Sequence, residues 1–174
     1  DQDLRDALGA ASALAASVAE DQTEAQDLFA AARSDYGRLL GALYAEGHYS
    51  GTIRILIDGR EAASIAPLDA PDRIGRIEVV VNAGPRFDFA RATVAPLARG
   101  TDLPPEFAAG QIARSGAVVA ATQAGIDGWR ATGHAKAGVA AQDIVADHRT
   151  ANLSADIRLD PGPRLRFGTL TVTG

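Results

Sequence analysis

The first residues to weigh for chemistry are three histidines, one of them beside an acid. Asp147-His148 joins a carboxylate to an imidazole, the pair that general acid–base catalysis or a metal site would use. Adjacent residues of a strand point to opposite faces, however, so a turn or capping role is the simpler reading. His48 and His134 each follow a glycine that closes an apolar helical pattern, which points to one structural duty performed twice. None of the three has H-E-x-x-H spacing. The absence of cysteine excludes thiol catalysis, disulfides and zinc–cysteine sites. No nucleophile elbow, phosphate loop or dinucleotide fingerprint is present. Glu20, Asp21, Glu24 and Asp27 crowd a helix start, where the helix dipole accounts for them more simply than a cation does. Phe29, Tyr36, Tyr44 and Trp129 fall at helical spacing and read as core. No catalytic, metal-ligating or cofactor-binding residue is therefore expected, and a small α+β hydrolase using Asp147 or His148 is kept only as a remote alternative.

Composition narrows the partners. The 174 residues are 47% hydrophobic and 22% charged, a globular balance, with a net charge of -5 that gives no basic face for nucleic acid. Sixteen of the seventeen basic residues are arginine, Lys136 being the exception. No apolar run reaches the ~20 residues of a spanning helix, and no basic stretch followed by an apolar one opens the sequence as a signal peptide would.

The elements that must position these residues are legible from periodicity. Leu4, Leu8, Ala11, Leu14 and Val18 predict one helix with Asp3 as its cap, and Ala19 to Gln22 a turn. Thr23 with Gln26 forms a capping-box pattern ahead of a longer helix carrying Leu28, Phe29, Ala32, Tyr36, Leu39, Leu40 and Leu43, ended by Gly47. The period then drops to 2. Thr52 to Ile57 predicts a strand, Asp58-Gly59 a tight turn, and Ile74 to Val81 a second strand. Phe89 to Val94 opens another set. Asp102 with Pro104 and Pro105 predicts a short helix, and Ser115 caps a longer one carrying Val119, Ile126 and Trp129. Lys136 to Val145, Ala151 to Leu159 and Leu165 to Val172 read as strands.

Two landmarks recur in this order. Leu43-Tyr-Ala-Glu-Gly-His48 is answered by Trp129-Arg-Ala-Thr-Gly-His134, and Gly84-Pro-Arg-Phe-Asp-Phe89 by Gly162-Pro-Arg-Leu-Arg-Phe167. The hairpin between the landmarks is longer in the first copy, as a loop insertion would make it. After each Gly-Pro-Arg, the apolar residues shift from odd positions (Phe87, Phe89; Leu165, Phe167) to even ones (Ala92, Val94; Leu170, Val172). A parity switch implies a bulge, twice over. The repeat is thus strand, helix, helix, strand, strand, each copy a three-stranded sheet covered on one face by two helices, an α+β arrangement. Residues 1–84 form the first copy without an opening strand, 85–163 the second, and 164–174 the opening strand of a third.

This order resembles the POTRA domains of the Omp85 superfamily, and locally the TamA branch concerned with autotransporter assembly. The residues carrying the resemblance are Leu39 to Tyr49, Ile55 to Glu61, Gly84 to Phe89, Gly128 to Lys136 and Ala146 to His148, so it covers essentially the whole chain. It implies a periplasmic arm of an outer-membrane protein, attached to the membrane only through a C-terminal β-barrel absent from these residues. It also implies protein binding by β-augmentation, in which an extended chain adds a strand to a sheet edge. The implied partners are unfolded outer-membrane protein clients and an inner-membrane-anchored assembly partner. The first strands of the two hairpins are the expected edges, represented by Thr52, Ile53, Arg54, Ile55, Leu56 and Ile57 and by Lys136, Ala137, Gly138 and Val139. Proline at Arg54 would then remove a donor to the client. A spacer that sets a distance without touching clients is the alternative. A strand-swapped homodimer is a further expectation, since unpaired edges invite exchange.

Overall fold

The computed structural model describes residues 2–22, 24–165 and 168, and the chain divides into two compact units, residues 1–86 and 87–174.

In the first module, helices α1 (Gln2–Ala11), α2 (Ala13–Ala19) and α3 (Ala25–Ala45) precede strands β1 (Thr52–Ile57), β2 (Arg60–Glu61) and β3 (Ile77–Asn82). The single first helix expected from periodicity is two, because Ser12 leaves helical geometry and caps α2, its Oγ accepting the Ala15 N–H. Asp3 lies within the first turn of α1, not at its cap. The break rotates α2, so that Leu14 and Ser17 are buried while Val18 is 70% exposed. Thr23 falls outside the described residues, and Glu24 holds the N-cap position of α3 without a side-chain bond. Phe29, Ala32, Asp35, Leu39 and Leu43 form the buried stripe of α3, recurring every three or four residues.

Opposite α3, Ile55 and Ile57 of β1 enter the core with Leu14, Phe29, Ala32, Ala62 and Ile65. Ala62 and Ile65 belong to the long hairpin connection, so the insertion adds core as well as length. Asp58 and Gly59 both take positive φ, the requirement of a type I′ turn, and return the chain onto β1 as the short β2. The Asp58 carboxylate also accepts the Gly75 and Arg76 N–H groups, fixing the far end of the insertion. The sheet order is β2-β1-β3, antiparallel throughout.

The second module contains β4 (Asp88–Ala95), α4 (Ser115–Ala131), β5 (Gly138–Asp147) and β6 (Asn152–Asp160), with sheet order β4-β6-β5. β4 runs parallel to β6, and β5 antiparallel. Leu153, Ala155, Ile157 and Leu159 of β6 are buried, as their alternation predicts. The pairing register shifts between Phe89 and Arg91, a bulge where the parity of apolar residues changes. The matching residues of the second copy, Phe167 and Leu170, lie outside the described residues, as does nearly all of the strand expected from Leu165 to Val172.

The short helix expected after Asp102 is replaced by turns. Phe107 packs edge-on against Phe89 with ring centroids 5.3 Å apart. The following backbone bonds to β4: Gly110 N–H to the Phe89 carbonyl, Phe89 N–H to that of Gln111, and Ala113 N–H to that of Phe87. These groups satisfy the strand margin instead of a helical turn. Ser115 is the first helical residue of α4, Arg114 occupying the N-cap position. The buried side of α4 is Ala117, Val118, Ala121 and Gly125, and Val119, expected inside, is 68% exposed. Small residues win because the helix lies close against the sheet. A Cβ on Gly125 would stand 2.7 Å from Leu159 Cδ1 and 3.0 Å from Val94 Cγ1.

Candidate functional site

The two recurring landmarks are joined in each module by the same set of bonds. At the end of α3, the His48 N–H donates to the Leu43 carbonyl (2.8 Å) and the Gly47 N–H to that of Tyr44 (3.1 Å). At the end of α4, the His134 N–H donates to Trp129 (3.1 Å) and the Gly133 N–H to Arg130 (3.0 Å). Both are Schellman caps, and both glycines take the positive φ this cap requires. The histidine rings then reach the hairpin end. His48 Nδ1 lies 3.2 Å from the Gly84 carbonyl, and His134 Nδ1 2.9 Å from the Gly162 carbonyl. A carbonyl only accepts, so each Nδ1 carries the proton. Each of those glycines donates its own N–H to a side chain two residues earlier, Asn82 or Asp160. The matched histidines therefore tie the helix end to the hairpin end, a structural duty.

The acid–histidine pair is likewise occupied. Asp147 accepts the Arg149 N–H and the Thr150 hydroxyl, shaping the turn from β5 to β6. The Thr150 hydroxyl and the neighbouring N–H groups hold its carboxyl below the usual carboxylate range. His148 stands edge-on to Phe87, centroids 5.7 Å apart.

What the fold leaves available is backbone. The expected edge residues Thr52, Ile53, Arg54, Ile55, Leu56 and Ile57 form β1, which is the middle strand of its sheet. β3 pairs along all six residues, and β2 covers Leu56 and Ile57 on the other side. Farther up that side, the Ile55 N–H donates to Glu61 Oε1 (3.1 Å) and the Ile55 carbonyl accepts the Tyr36 hydroxyl. Antiparallel strands alternate the direction of successive N–H groups, so Arg54 donates toward β3. Proline at Arg54 would break the sheet internally and is no test of a client edge. The cause is the Asp58-Gly59 turn, which folds β2 and Glu61 back onto β1.

β5 is different. It is the outer strand of its sheet, ten residues long, with Val139, Ile144 and Val145 among its exposed side chains. Gly138 and Val139 lie in it, as expected. Lys136 and Ala137 precede it in a turn, where the Ala137 N–H bonds to the His134 carbonyl and Ala137 is buried. Ile144 and Val145, within the strand expected over Lys136 to Val145, are its most exposed large apolar residues with Val139, at 45% and 54%.

The Tyr36–Glu61 contact that seals β1 has a pH signature. The Tyr36 hydroxyl, followed by the Ile55 N–H, holds the Glu61 carboxyl below its ordinary value of 4.5, while burial and the carboxylate push Tyr36 up. A depressed folded pKa stabilises above the unfolded value and loses that contribution as pH falls through the folded one. Thermal stability of the first module should therefore decline on acidification from about pH 5. Glu61→Gln should flatten that limb of the curve, measured by circular dichroism.

A scan against protein-family models finds no match, and neither does a search of curated proteins. Among solved structures, the chain is similar to the crystal structure of POTRA3-5 of BamA from Haemophilus influenzae, with a TM-score of 0.50 at 16% identity. The likeness covers 82% of this chain and 56% of that one, so the chain spans just over half the length of the structure it matches. At this identity the likeness concerns the fold. The architecture is a POTRA-type α+β fold.

Proposed function

We propose that the two modules form a polypeptide-binding arm, held in the periplasm by an outer-membrane assembly protein of the Omp85 type. Extended outer-membrane clients are its ligands, and an inner-membrane-anchored protein its assembly partner. Within that reading, the sequence resemblance favours the TamA branch and autotransporter assembly. The observation that carries the reading is β5: a ten-residue strand with no neighbour on its outer side among the described residues and with exposed Val139, Ile144 and Val145, in a POTRA-type fold. Main-chain groups on such an edge recognise extension in a client, and flanking apolar side chains add selectivity.

Lysine on an edge strand suppresses strand addition without disturbing the interior. Ile144→Lys with Val145→Lys should therefore weaken binding of an extended outer-membrane protein peptide by about tenfold or more, equivalent to ~1.4 kcal/mol, with an unchanged melting curve. Fluorescence anisotropy reads the affinity. Unaltered affinity in the folded variant would reject β5 as the edge. Photo-crosslinking from Ile144 separates a binding arm from a spacer, because a spacer captures partners only at its ends.

A further inference from the structure

On the face of the second sheet turned away from α4, charged residues form a row. Asp156 alternates with the buried Ala155 and Ile157, and Asp143 of β5 is its cross-strand partner, so both carboxylates share that face. From the other flank Arg91 of β4 reaches Asp156, Nη2 to Oδ2 3.1 Å. The order across β4, β6 and β5 is therefore plus, minus, minus. Asp143 is exposed and has no hydrogen-bond or ion-pair partner among the described residues. Arg158, opposite Ala141 on the same face, bonds to neither aspartate.

Like charges directly opposite each other in a sheet are unfavourable, and one arginine here serves only one of the two carboxylates. The fourth position of the row lies beyond β5, where a strand added to this edge lays its own side chains. A residue paired with Asp143 falls on the face of Asp143 whichever way the added strand runs. The pairing of β5 with β6 is unbroken from Ala141 to Asp147, past the bulge at Val139, so this stretch presents a regular ladder. Within it Val145 shares the face of Asp143 and Ile144 takes the other, both exposed. A hollow of about 760 Å³ adjoins both carboxylates, lined by Ala95, Pro96 and Ala141 among others. Small apolar walls of this kind suit the methylene stem of a lysine or arginine whose charged head stays in water beside the acids.

We infer that the β5 edge selects extended segments carrying a basic residue at the register of Asp143, with apolar residues opposite Ile144 and Val145. This rests on the reading of β5 as the client edge and adds the chemistry of the client to it. A lysine or arginine there completes the row as plus, minus, minus, plus and offsets the Asp143–Asp156 repulsion, which an uncharged or acidic strand does not. An exposed charge within an edge strand has another use, guarding the edge against any strand at all. The two roles differ in sign: a guard weakens every added strand, and a selector strengthens basic ones. The exposed Ile144 and Val145 beside Asp143 fit a selector, since they attract the strands that a guard would repel.

Fluorescent peptides of alternating threonine and valine, with lysine, threonine or glutamate at one central threonine position, test this by anisotropy. The wild-type chain should bind the lysine peptide about fivefold more tightly than the threonine one, and the glutamate peptide about fivefold more weakly, the size of a cross-strand charge pair. Asp143→Lys should invert the order and Asp143→Asn should level it, both with the wild-type melting curve, because the side chain is exposed and bonds to nothing among the described residues. Equal affinities for the three peptides in the wild-type chain would overturn the inference and leave β5 standing as the edge. So would Asp143→Asn binding all three more tightly by the same factor, the mark of a guard. Failure of every peptide to bind the folded wild-type chain would remove the edge reading, and this inference with it.

Discussion

Asp35→Ala should destabilise the first module by about 3 kcal/mol, because it removes charge-assisted bonds from a buried site. Asp35 is fully buried in the middle of α3, yet its carboxylate serves another helix. It accepts the Ser12 hydroxyl (2.6 Å) and the Ala13 N–H (2.6 Å), with the Leu14 N–H at 3.2 Å. These are the first groups of α2, where the helix has no internal acceptor and its dipole favours a negative charge. Alanine would leave the buried Leu14 N–H and the half-buried Ser12 hydroxyl and Ala13 N–H without this acceptor. A small domain is stable by only about 5–15 kcal/mol, so the loss is a large share of the total. Asp35→Asn keeps one accepting oxygen and should fall between the two. The exposed Asp27→Ala, on the same helix, should change stability by less than about 0.5 kcal/mol. Urea denaturation at neutral pH measures all three, and an Asp35→Ala loss no larger than that of Asp27→Ala would remove the carboxylate from this account.

Gly125→Leu should unfold or severely loosen the second module, with a cost above about 3 kcal/mol, the upper range for overpacking. The glycine sits where α4 meets Leu159, Val94 and Leu97, and even a single added carbon would fall 2.7 Å from Leu159 Cδ1. Glycine costs ~1 kcal/mol in a helix interior relative to alanine, so its presence here reflects close helix–sheet packing. The effect should be local. A denaturation curve monitored by Trp129 fluorescence should shift to much lower denaturant, since this sole tryptophan lies in the second module. Gly116→Ala, which adds a carbon to open space on the same helix, should leave the curve nearly unchanged.

These two positions mark where sequence reading stopped. Asp35 sits on the buried stripe of α3, yet a carboxylate there gave no apolar signal, and its partners lie 21 to 23 residues away. Periodicity sees residues three and four apart; it does not see a cap supplied by a neighbouring helix. The same blindness merged α1 with α2 and placed Val18 inside. Gly125 was missed for the converse reason, since small residues carry little hydrophobic weight even when they form the closest contact between layers.

The repeat was legible because it rests on local requirements. Left-handed glycines after two helices, Asp58-Gly59 with positive φ at both positions, and a parity switch over a bulge are short-range demands of the backbone, written in consecutive residues. Alternation along Leu153 to Leu159 declared which face of β6 is buried for the same reason. Sheet order was decided elsewhere. Whether a strand is central or an edge depends on what returns to lie beside it. The Asp58-Gly59 turn folded β2 and Glu61 onto β1, while β5 and β3 were left outermost. Both β1 and β5 open a hairpin after a Gly-His turn, and their sequences alone assign them the same place. Only the folded chain separates them, because hydrogen-bond partners across a sheet are chosen by tertiary packing.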